Sequence, residues 1–309
     1  MVFKNLFITR HGLRLGKSGS YITVKGKDIS ERIPLGAFSN VFILANVTIS
    51  TQTLKYLSEN GKYVFILTTT GRIKSIIFPE LLSSNTKVRK RQYKEFELEA
   101  SRLFLTKELL WRKAKLTQKF LIKFREARGE STNLTVYKDF FRDVSFLIDS
   151  AMSVDQLRGV DGFMMKNLFF EFSDSVKEFF SFKSRSYHPP TDEPNAVLSL
   201  VFSMFYSILF PLVISHELDP YCGFFHIKRG KHAALVSDLM ELARPELIFF
   251  TADILNRGFF TNSDFKKFKS GVYIKPAAVR VLCKLFMEKL VHSKVFFPIQ
   301  LFIREVLIK

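Results

Sequence analysis

The first 85 residues contain short runs of β-branched and aromatic residues separated by Gly, Ser and Asn. This alternation of apolar runs and turn residues predicts short β-strands. A stretch between two of these runs, STQTLKYLSENG, predicts a single helix with Ser50 as its N-cap and Gly61 just past its end. The predicted strands lie within NLFIT, SYITV, NVFILANV, YVFILTT and RIKSIIF.

The pattern changes near residue 86, where the strand signals stop and helical periodicity begins. Ser83, Ser84 and Asn85 predict a linker at this change. We therefore expect an α+β fold, with a small N-terminal β-domain (1–85) followed by a larger all-helical C-terminal domain (86–309). Loops are predicted within the helical part at 129–132, 184–195, 217–223 and 257–263.

Residues 196–215, AVLSLVFSMFYSILFPLVIS, form an uncharged apolar stretch. The stretch is short for a membrane span and contains Pro211. Ser199, Ser203 and Ser207 recur every four residues, which gives one helix face for close packing. These features favour a buried core helix, and a membrane-associated basic protein is the weaker alternative.

The chain of 309 residues carries 47 Lys and Arg against 29 Asp and Glu, a formal net charge of +18. An excess of this size attracts polyanions, so nucleic acid is the leading partner and an anionic membrane surface the second. A basic soluble protein without such a partner is the alternative.

Two cysteines that lie far apart indicate neither a disulfide framework nor a zinc cluster, which suits a reducing cytoplasm. The N-terminal segment MVFKNLFITRHG is too short and too polar for a signal peptide. We expect a cytoplasmic protein.

Basic residues cluster at the start of the helical part, in KVRKRQYKEF (87–96). A helix with such a face can lie along a phosphate backbone and bind DNA through charge alone, although a merely solvated basic face is possible. The cluster includes Arg89 and Arg91, and further bases follow at Arg112, Lys113, Lys115, Lys119 and Lys123.

The stretch GFFHIKRGKHAALVSDLMELARP (223–245) combines a loop histidine, His226, with Asp238 and Glu241, which are three residues apart and share a helix face. Hard oxygen ligands suit a divalent ion that acts on phosphodiesters, and a histidine nitrogen favours Mn²⁺-like ions. The alternative is a loop followed by a solvated helix. Between His226 and Asp238, the basic side chains of Lys228, Arg229 and Lys231 could bind the phosphates of DNA.

Asp161 lies between Gly159 and Gly162 at a predicted helix start. One interpretation is a carboxylate displayed where a backbone can approach closely. The other is a simple acidic residue favoured by the helix dipole.

In the order of its motifs the chain resembles one family, the CRISPR-associated integrases that capture spacers. This family is the universal adaptation nuclease of CRISPR systems. The resemblance covers nearly the whole chain, and no single motif is diagnostic. It rests on LFITRHGLRLG, RIPL, ISTQTLKYLSENG, RKRQY, GVDG, SYHPPTDEPNAVLSLVFSMFYSIL, ELDPYCGFFH and SDLMELARPELI.

This resemblance implies a β-domain used in dimerisation and a helical domain that holds one Mn²⁺ or Mg²⁺ ion. Carried over motif by motif, the metal ligands fall on Asp161, His226 and Glu241. Asp238 would be a nearby carboxylate that positions water or a ligand, and Asn195 would lie near the site.

The activity implied by the resemblance is metal-dependent insertion of captured DNA fragments into a CRISPR array, or DNA cleavage by the same chemistry. The implied partners are DNA, a second copy of the chain and a small second CRISPR adaptation protein. The chain departs from the family at Asp161, where glutamate is usual. Because aspartate is shorter by about 1.5 Å, the alternative is a DNA-binding scaffold of the same complex with weakened catalysis.

Overall fold

The computed structural model places the chain in two compact units. One consists of Met1–Ser84 with Tyr273–Ser293, and the other of Asn85–Val272 with Lys294–Lys309. The predicted linker at 83–85 lies outside the described residues. The structure describes residues 5–68, 73–79, 86–131, 134–186, 189–226, 232–290 and 294–308.

The N-terminal unit contains two four-stranded sheets. The first has the order β1-β5-β7-β8, with parallel pairing except between β7 and β8. The second has the order β4-β3-β2-β6, with parallel pairing only between β2 and β6. The strands are β1 (Asn5–Ile8), β2 (Arg14–Ser18), β3 (Tyr21–Gly26), β4 (Ile29–Pro34), β5 (Asn40–Ile43), β6 (Thr48–Ile49), β7 (Tyr63–Leu67) and β8 (Ile73–Ile77).

The aromatic and β-branched runs form the strands as predicted. Phe42 of β5 stacks on Phe7 of β1 and on Phe65 of β7, with ring centroids 4.9 and 4.7 Å apart. The predicted helix is α1 (Thr51–Glu59), and the Ser50 side chain accepts the N–H of Thr53 as an N-cap. Strands β2, β4 and β6 were not predicted, because they are short or carry several polar residues.

The other unit is predominantly helical. Its long helices bury apolar stripes against one another, as in α3, where Leu109, Leu110 and Phe124 are fully buried. The helices are α2 (Thr86–Glu97), α3 (Glu99–Ala127), α4 (Leu134–Ser150), α5 (Val154–Val176), α6 (Glu193–Ser215), α7 (Ala234–Met240), α8 (Arg244–Asn256) and α10 (Phe296–Phe302). Helix α9 (Pro276–Leu285) lies in the segment that groups with the N-terminal unit.

The expectation of an all-helical C-terminal part is wrong. Strands β9 (Phe265–Phe268) and β10 (Gly271–Ile274) form a two-stranded sheet there. These strands are four residues each, and their lysines and turn residues conceal the strand pattern. Gly271 has φ +127°, and a Cβ at this position would lie 2.6 Å from the Cβ of Pro189. Only glycine fits this close approach.

Helix α6 is a core helix. By length and composition it could cross a membrane, but 83% of its most apolar window is buried inside the protein. Asp192 caps its N-terminus by accepting the N–H of Asn195 at 2.8 Å. The Ser207 hydroxyl donates to the carbonyl of Ser203 at 2.8 Å, which satisfies a buried polar group within the helix. The prediction of a buried helix is confirmed.

Candidate active site

Asp238 organises the loop that contains the predicted histidine. Its carboxylate accepts the backbone N–H groups of Phe224, Phe225 and His226 at 2.8, 3.1 and 2.7 Å. It also binds Nδ1 of His226 at 2.8 Å. All of α7, which carries Asp238, is buried, so the alternative of a solvated helix is wrong.

Gly223 allows this loop to lie against α7. A Cβ at residue 223 would lie 2.7 Å from the Cβ of Ala234 and 2.8 Å from an oxygen of Asp238. A side chain would therefore push the loop away from the carboxylate that holds it. The glycine of the GFFH motif is required by packing.

Three side chains hold the loop from its other side through its carbonyl groups. Arg102 donates to the carbonyl of Phe224 at 3.0 Å, and Arg158 to that of Phe225 at 2.9 Å. Gln92, which is buried in α2, donates to the carbonyl of Cys222 at 2.8 Å. The backbone that presents His226 is thus fixed by hydrogen bonds at both its N–H and its C=O groups.

The hydrogen bond to Asp238 determines which nitrogen of His226 faces the site. A carboxylate accepts, so Nδ1 carries the proton and Nε2 has a free lone pair in the neutral imidazole. Nε2 lies 3.8 Å from Oε1 of Glu241. Burial lowers the pKa of His226, but the hydrogen bond and the charges of Asp238 and Glu241 outweigh it and raise the pKa.

Lys113 of α3 joins the two remaining acidic residues. Its side chain is fully buried, and Nζ lies 2.5 Å from Oε2 of Glu241 and in contact with Oδ1 of Asp161. Arg244, at the start of α8, donates from Nε to the other oxygen of Glu241 at 2.6 Å. The carboxylates of residues 161 and 241 therefore converge on one ammonium group.

The two acids differ in their electrostatic surroundings. Burial raises the pKa of Asp161, and Lys113 only partly offsets this. Burial also acts on Glu241, but Arg244, Lys113 and His226 together lower its pKa to about 2. Glu241 has two cationic partners where Asp161 has one, and it stays ionised.

The structure brings together the four predicted catalytic residues, although each comes from a different local setting. Asp161 lies inside α5, whose N-cap is Ser153, so the expectation of a helix start there and the helix-dipole interpretation are wrong. Glu241 follows the last residue of α7. The side chains of Asp161 and His226 are 18% and 34% exposed, so the site opens to solvent on their side.

The donor chemistry fits a divalent cation, with one imidazole nitrogen and two carboxylates around a common space. The described residues include no group of three His, Cys, Asp or Glu side chains that already forms a ligand cage. Lys113 lies between two of the candidate ligands instead. Nε2 of His226 and Oε1 of Glu241 lie 3.8 Å apart, which one ion can still bridge, and the ammonium of Lys113 joins Asp161 to Glu241.

Comparison with known proteins identifies the family. The model of the family described as CRISPR associated protein Cas1 matches residues 6–288. The chain belongs to the Cas1 family.

A relative similar in sequence and two solved structures similar in fold each align with most of this chain. A Cas4 exonuclease/Cas1 endonuclease fusion of Leptospira interrogans is 30% identical over 92% of this chain, which spans about half (54%) of that protein. A casposase bound to integration product is 20% identical, with a TM-score of 0.79 over 93% of this chain and 83% of that one. A Cas6-RT-Cas1–Cas2 complex gives a TM-score of 0.75 at 20% identity over 97% of this chain and 34% of that one.

The residues predicted to contact DNA are only partly described. Arg91 is exposed on α2, and Arg89 donates to the carbonyl of Glu217 at 3.3 Å. Lys228, Arg229 and Lys231 lie outside the described residues.

One further expectation, that Lys113 lies on the basic helix face, is wrong, whereas the placement of Asn195 near the site stays a prediction. Lys113, grouped with the basic helix face, is buried in the site. Asn195 holds the loop before α6, accepting from Arg185 and Ser186 and donating to Ser184 and Asp192.

Sequence reasoning missed the two cations of this candidate site, Lys113 and Arg244. A signal for Lys113 was present, because it lies in phase with the buried stripe Thr106, Leu109, Leu110 and Thr117 on α3. A lysine within an apolar helical stripe indicates a buried charge with a partner. No pattern marked Arg244, whose role depends on the fold bringing it to Glu241.

Proposed function

We propose that this chain is a divalent-metal-dependent DNA integrase and endonuclease that inserts captured DNA fragments into a CRISPR array. Asp161, His226 and Glu241 would hold one Mn²⁺ or Mg²⁺ ion. The observation that carries the proposal is their convergence from α5, a loop and the end of α7 on one partly open site. Membership of the Cas1 family, whose matching relative is named an endonuclease, supports it.

The reaction is a transesterification. The terminal 3′-hydroxyl oxygen of the fragment forms a bond to the phosphorus at the repeat boundary, the bond from phosphorus to the 3′ oxygen of the repeat strand breaks, and that oxygen leaves as a new 3′-hydroxyl. Cleavage follows the same course with water attacking. A bound divalent cation lowers the cost of the negative charge that develops on the phosphate oxygens.

The protein's own side chains arrange this site. Asp238 keeps His226 in the tautomer that presents Nε2, and the carbonyl contacts of Arg102 and Arg158 hold the loop in place. Arg244 fixes Glu241 and adds positive charge beside the phosphate site. Charge and orientation are thus supplied before DNA arrives.

The partners proposed are DNA, a second copy of the chain and a small second adaptation protein. The net charge of +18 supports DNA binding, as does the fold shared with a casposase bound to integration product. The fold shared with the Cas1 part of a Cas1–Cas2 complex supports the second protein. We assign dimerisation to the β-domain (1–85) and catalysis to 86–309.

A joining assay tests the proposal. Purified chain with its companion protein, Mn²⁺ or Mg²⁺, a short duplex with free 3′ ends and a repeat-bearing plasmid should give covalently joined product. Glu241→Gln should reduce joining by at least about a hundredfold while DNA binding persists, because it removes a charged ligand. Glu126→Gln, an exposed change on α3, is the matched control and should join normally.

Binding without chemistry would support the scaffold alternative. If the wild type binds DNA but neither joins nor cuts it with any divalent ion, the integrase proposal fails. Asp161→Glu restores the family's usual residue, and recovery of joining in that variant would locate the defect in the shorter side chain.

A further inference from the structure

Lys113 has a place in the site that the proposed function does not explain. The Nζ atom contacts one oxygen of Asp161 and lies 2.5 Å from one oxygen of Glu241, inside a fully buried side chain. The carboxylates of Asp161 and Glu241 would repel each other without a cation between them, and both are largely removed from water. The ammonium therefore holds together the acids that are expected to bind the metal.

We propose that Lys113 is a positioning residue whose ammonium group substitutes for the divalent ion in the metal-free protein and is displaced when the ion binds. The inference rests on the proposed function for its metal ligands. Its geometric basis is that the space between Asp161 and Glu241 is already occupied by a cation. An ion bound by both carboxylates must compete with the ammonium for the same oxygens.

This arrangement has two consequences. Without metal, Lys113 keeps Asp161 and Glu241 converged, so the site is preformed. With metal, the free energy needed to displace the ammonium weakens the apparent affinity. Hydrogen bonds from a charged group are strong enough to change a binding constant by about tenfold each.

Mn²⁺ binding without DNA tests the proposal, measured by isothermal titration calorimetry on the full chain. Lys113→Met keeps an unbranched side chain that is one atom shorter and removes the cation, and should bind Mn²⁺ at least about tenfold more tightly than the wild type. The same variant should melt several degrees lower in EDTA and recover when Mn²⁺ is added. Unchanged or weaker Mn²⁺ binding would overturn the proposal.

Arg244→Met is the matched control for the loss of one positive charge near Glu241. It also removes one cation from Glu241, but not from the space between the two carboxylates. A pure through-space charge effect would give both variants similar gains, whereas displacement predicts a larger gain for Lys113→Met. Equal gains would contradict displacement.

A second measurement needs no variant and applies even if Lys113→Met does not fold. Wild-type crystals soaked in MnCl₂ should show anomalous density between Asp161 and Glu241, with Nζ moved out of contact with both. An ion bound while Nζ remains on both carboxylates would overturn the proposal. If the wild type joins DNA yet fails these tests, only this inference fails; if it binds no Mn²⁺, the metal-dependent function fails as well.

Discussion

Nδ1 of His226 lies 2.8 Å from Oδ1 of Asp238, and the same oxygen accepts the backbone N–H of residue 226 at 2.7 Å. The second oxygen accepts the N–H groups of Phe224 and Phe225. One fully buried carboxylate is thus satisfied by four donors. The role of Asp238 is to fix the loop and the imidazole, since each of its two oxygens already accepts two hydrogen bonds.

Replacing Asp238 with asparagine tests this role. The amide would turn an N–H₂ group toward backbone donors and leave buried N–H groups without an acceptor. We expect a loss of about 3 kcal/mol in the free energy of unfolding and a roughly 10- to 100-fold weaker Mn²⁺ affinity. Chemical denaturation and Mn²⁺ titration measure the two effects. Asp139→Asn, a half-exposed control on α4 that loses only a surface ion pair with Arg142, should change stability by less than about 0.5 kcal/mol.

Gln92 of α2 allows a test of whether its hydrogen bonds hold the loop that leads to His226. Its side chain donates to the carbonyls of Asp219 and Cys222 and accepts the N–H of Asp219. Gln92→Met keeps a side chain of similar length and removes all three hydrogen bonds, which should cost about 2–3 kcal/mol in the free energy of unfolding. Denaturant melts of both proteins measure this cost. A loss below about 0.5 kcal/mol would show that these bonds do not hold the loop.

The raised pKa of His226 predicts a pH dependence of stability in the metal-free protein. The folded state binds this proton more tightly than the unfolded state. The resulting stabilisation is complete below the unfolded pKa of about 6.5 and is lost as pH rises through the higher folded pKa. The difference in melting temperature between wild type and His226→Gln, measured in EDTA, should therefore shrink from pH 6 to pH 8.

His232 serves as the control of opposite sign. Burial, reinforced by nearby His226, lowers the pKa of His232. The contribution of His232 to the stability of the fold is therefore present above its unfolded pKa and is lost as pH falls through its lower folded pKa. The difference between wild type and His232→Gln should therefore grow as pH rises from 5.5 to 6.5. The same trend in both variants would contradict the assigned environments.

The two cysteines should be unreactive in the native protein. Burial raises the pKa of Cys222 to about 11 and that of Cys283 to about 12. At pH 8 only about one thiol in a thousand or fewer would be ionised. Alkylation with iodoacetamide, followed by mass spectrometry, should be slow in buffer and complete in guanidinium chloride. Rapid labelling of Cys222 in the native protein would show that its thiol is more accessible than its partial burial implies.

The β-part of the fold could be predicted where strands are aromatic and buried on both faces. Val41, Phe42, Val64 and Phe65 belong to such runs. The strands that sequence missed are polar on their exposed side, as in ISERIP of β4, where local composition does not distinguish a strand from a loop. The hairpin formed by β9 and β10 was missed for a related reason.

The candidate site could be predicted only in part. Glycine and histidine at fixed spacing, together with the family resemblance, pointed to Asp161, His226 and Glu241. The cations that hold these acids, Lys113 and Arg244, come from α3 and α8, which are distant in sequence. Long-range pairing of charges depends on tertiary packing, which local patterns do not encode.

Asp161, His226 and Glu241 are proposed to bind one divalent ion. Electron paramagnetic resonance can count the Mn²⁺ ions bound at free concentrations that saturate the wild type. We predict one Mn²⁺ per wild-type chain and a loss of that ion in Asp161→Asn, His226→Gln and Glu241→Gln, with Glu126→Gln unchanged. One tightly bound Mn²⁺ in all three site variants, with unaltered affinity, would show that these side chains are not the metal ligands.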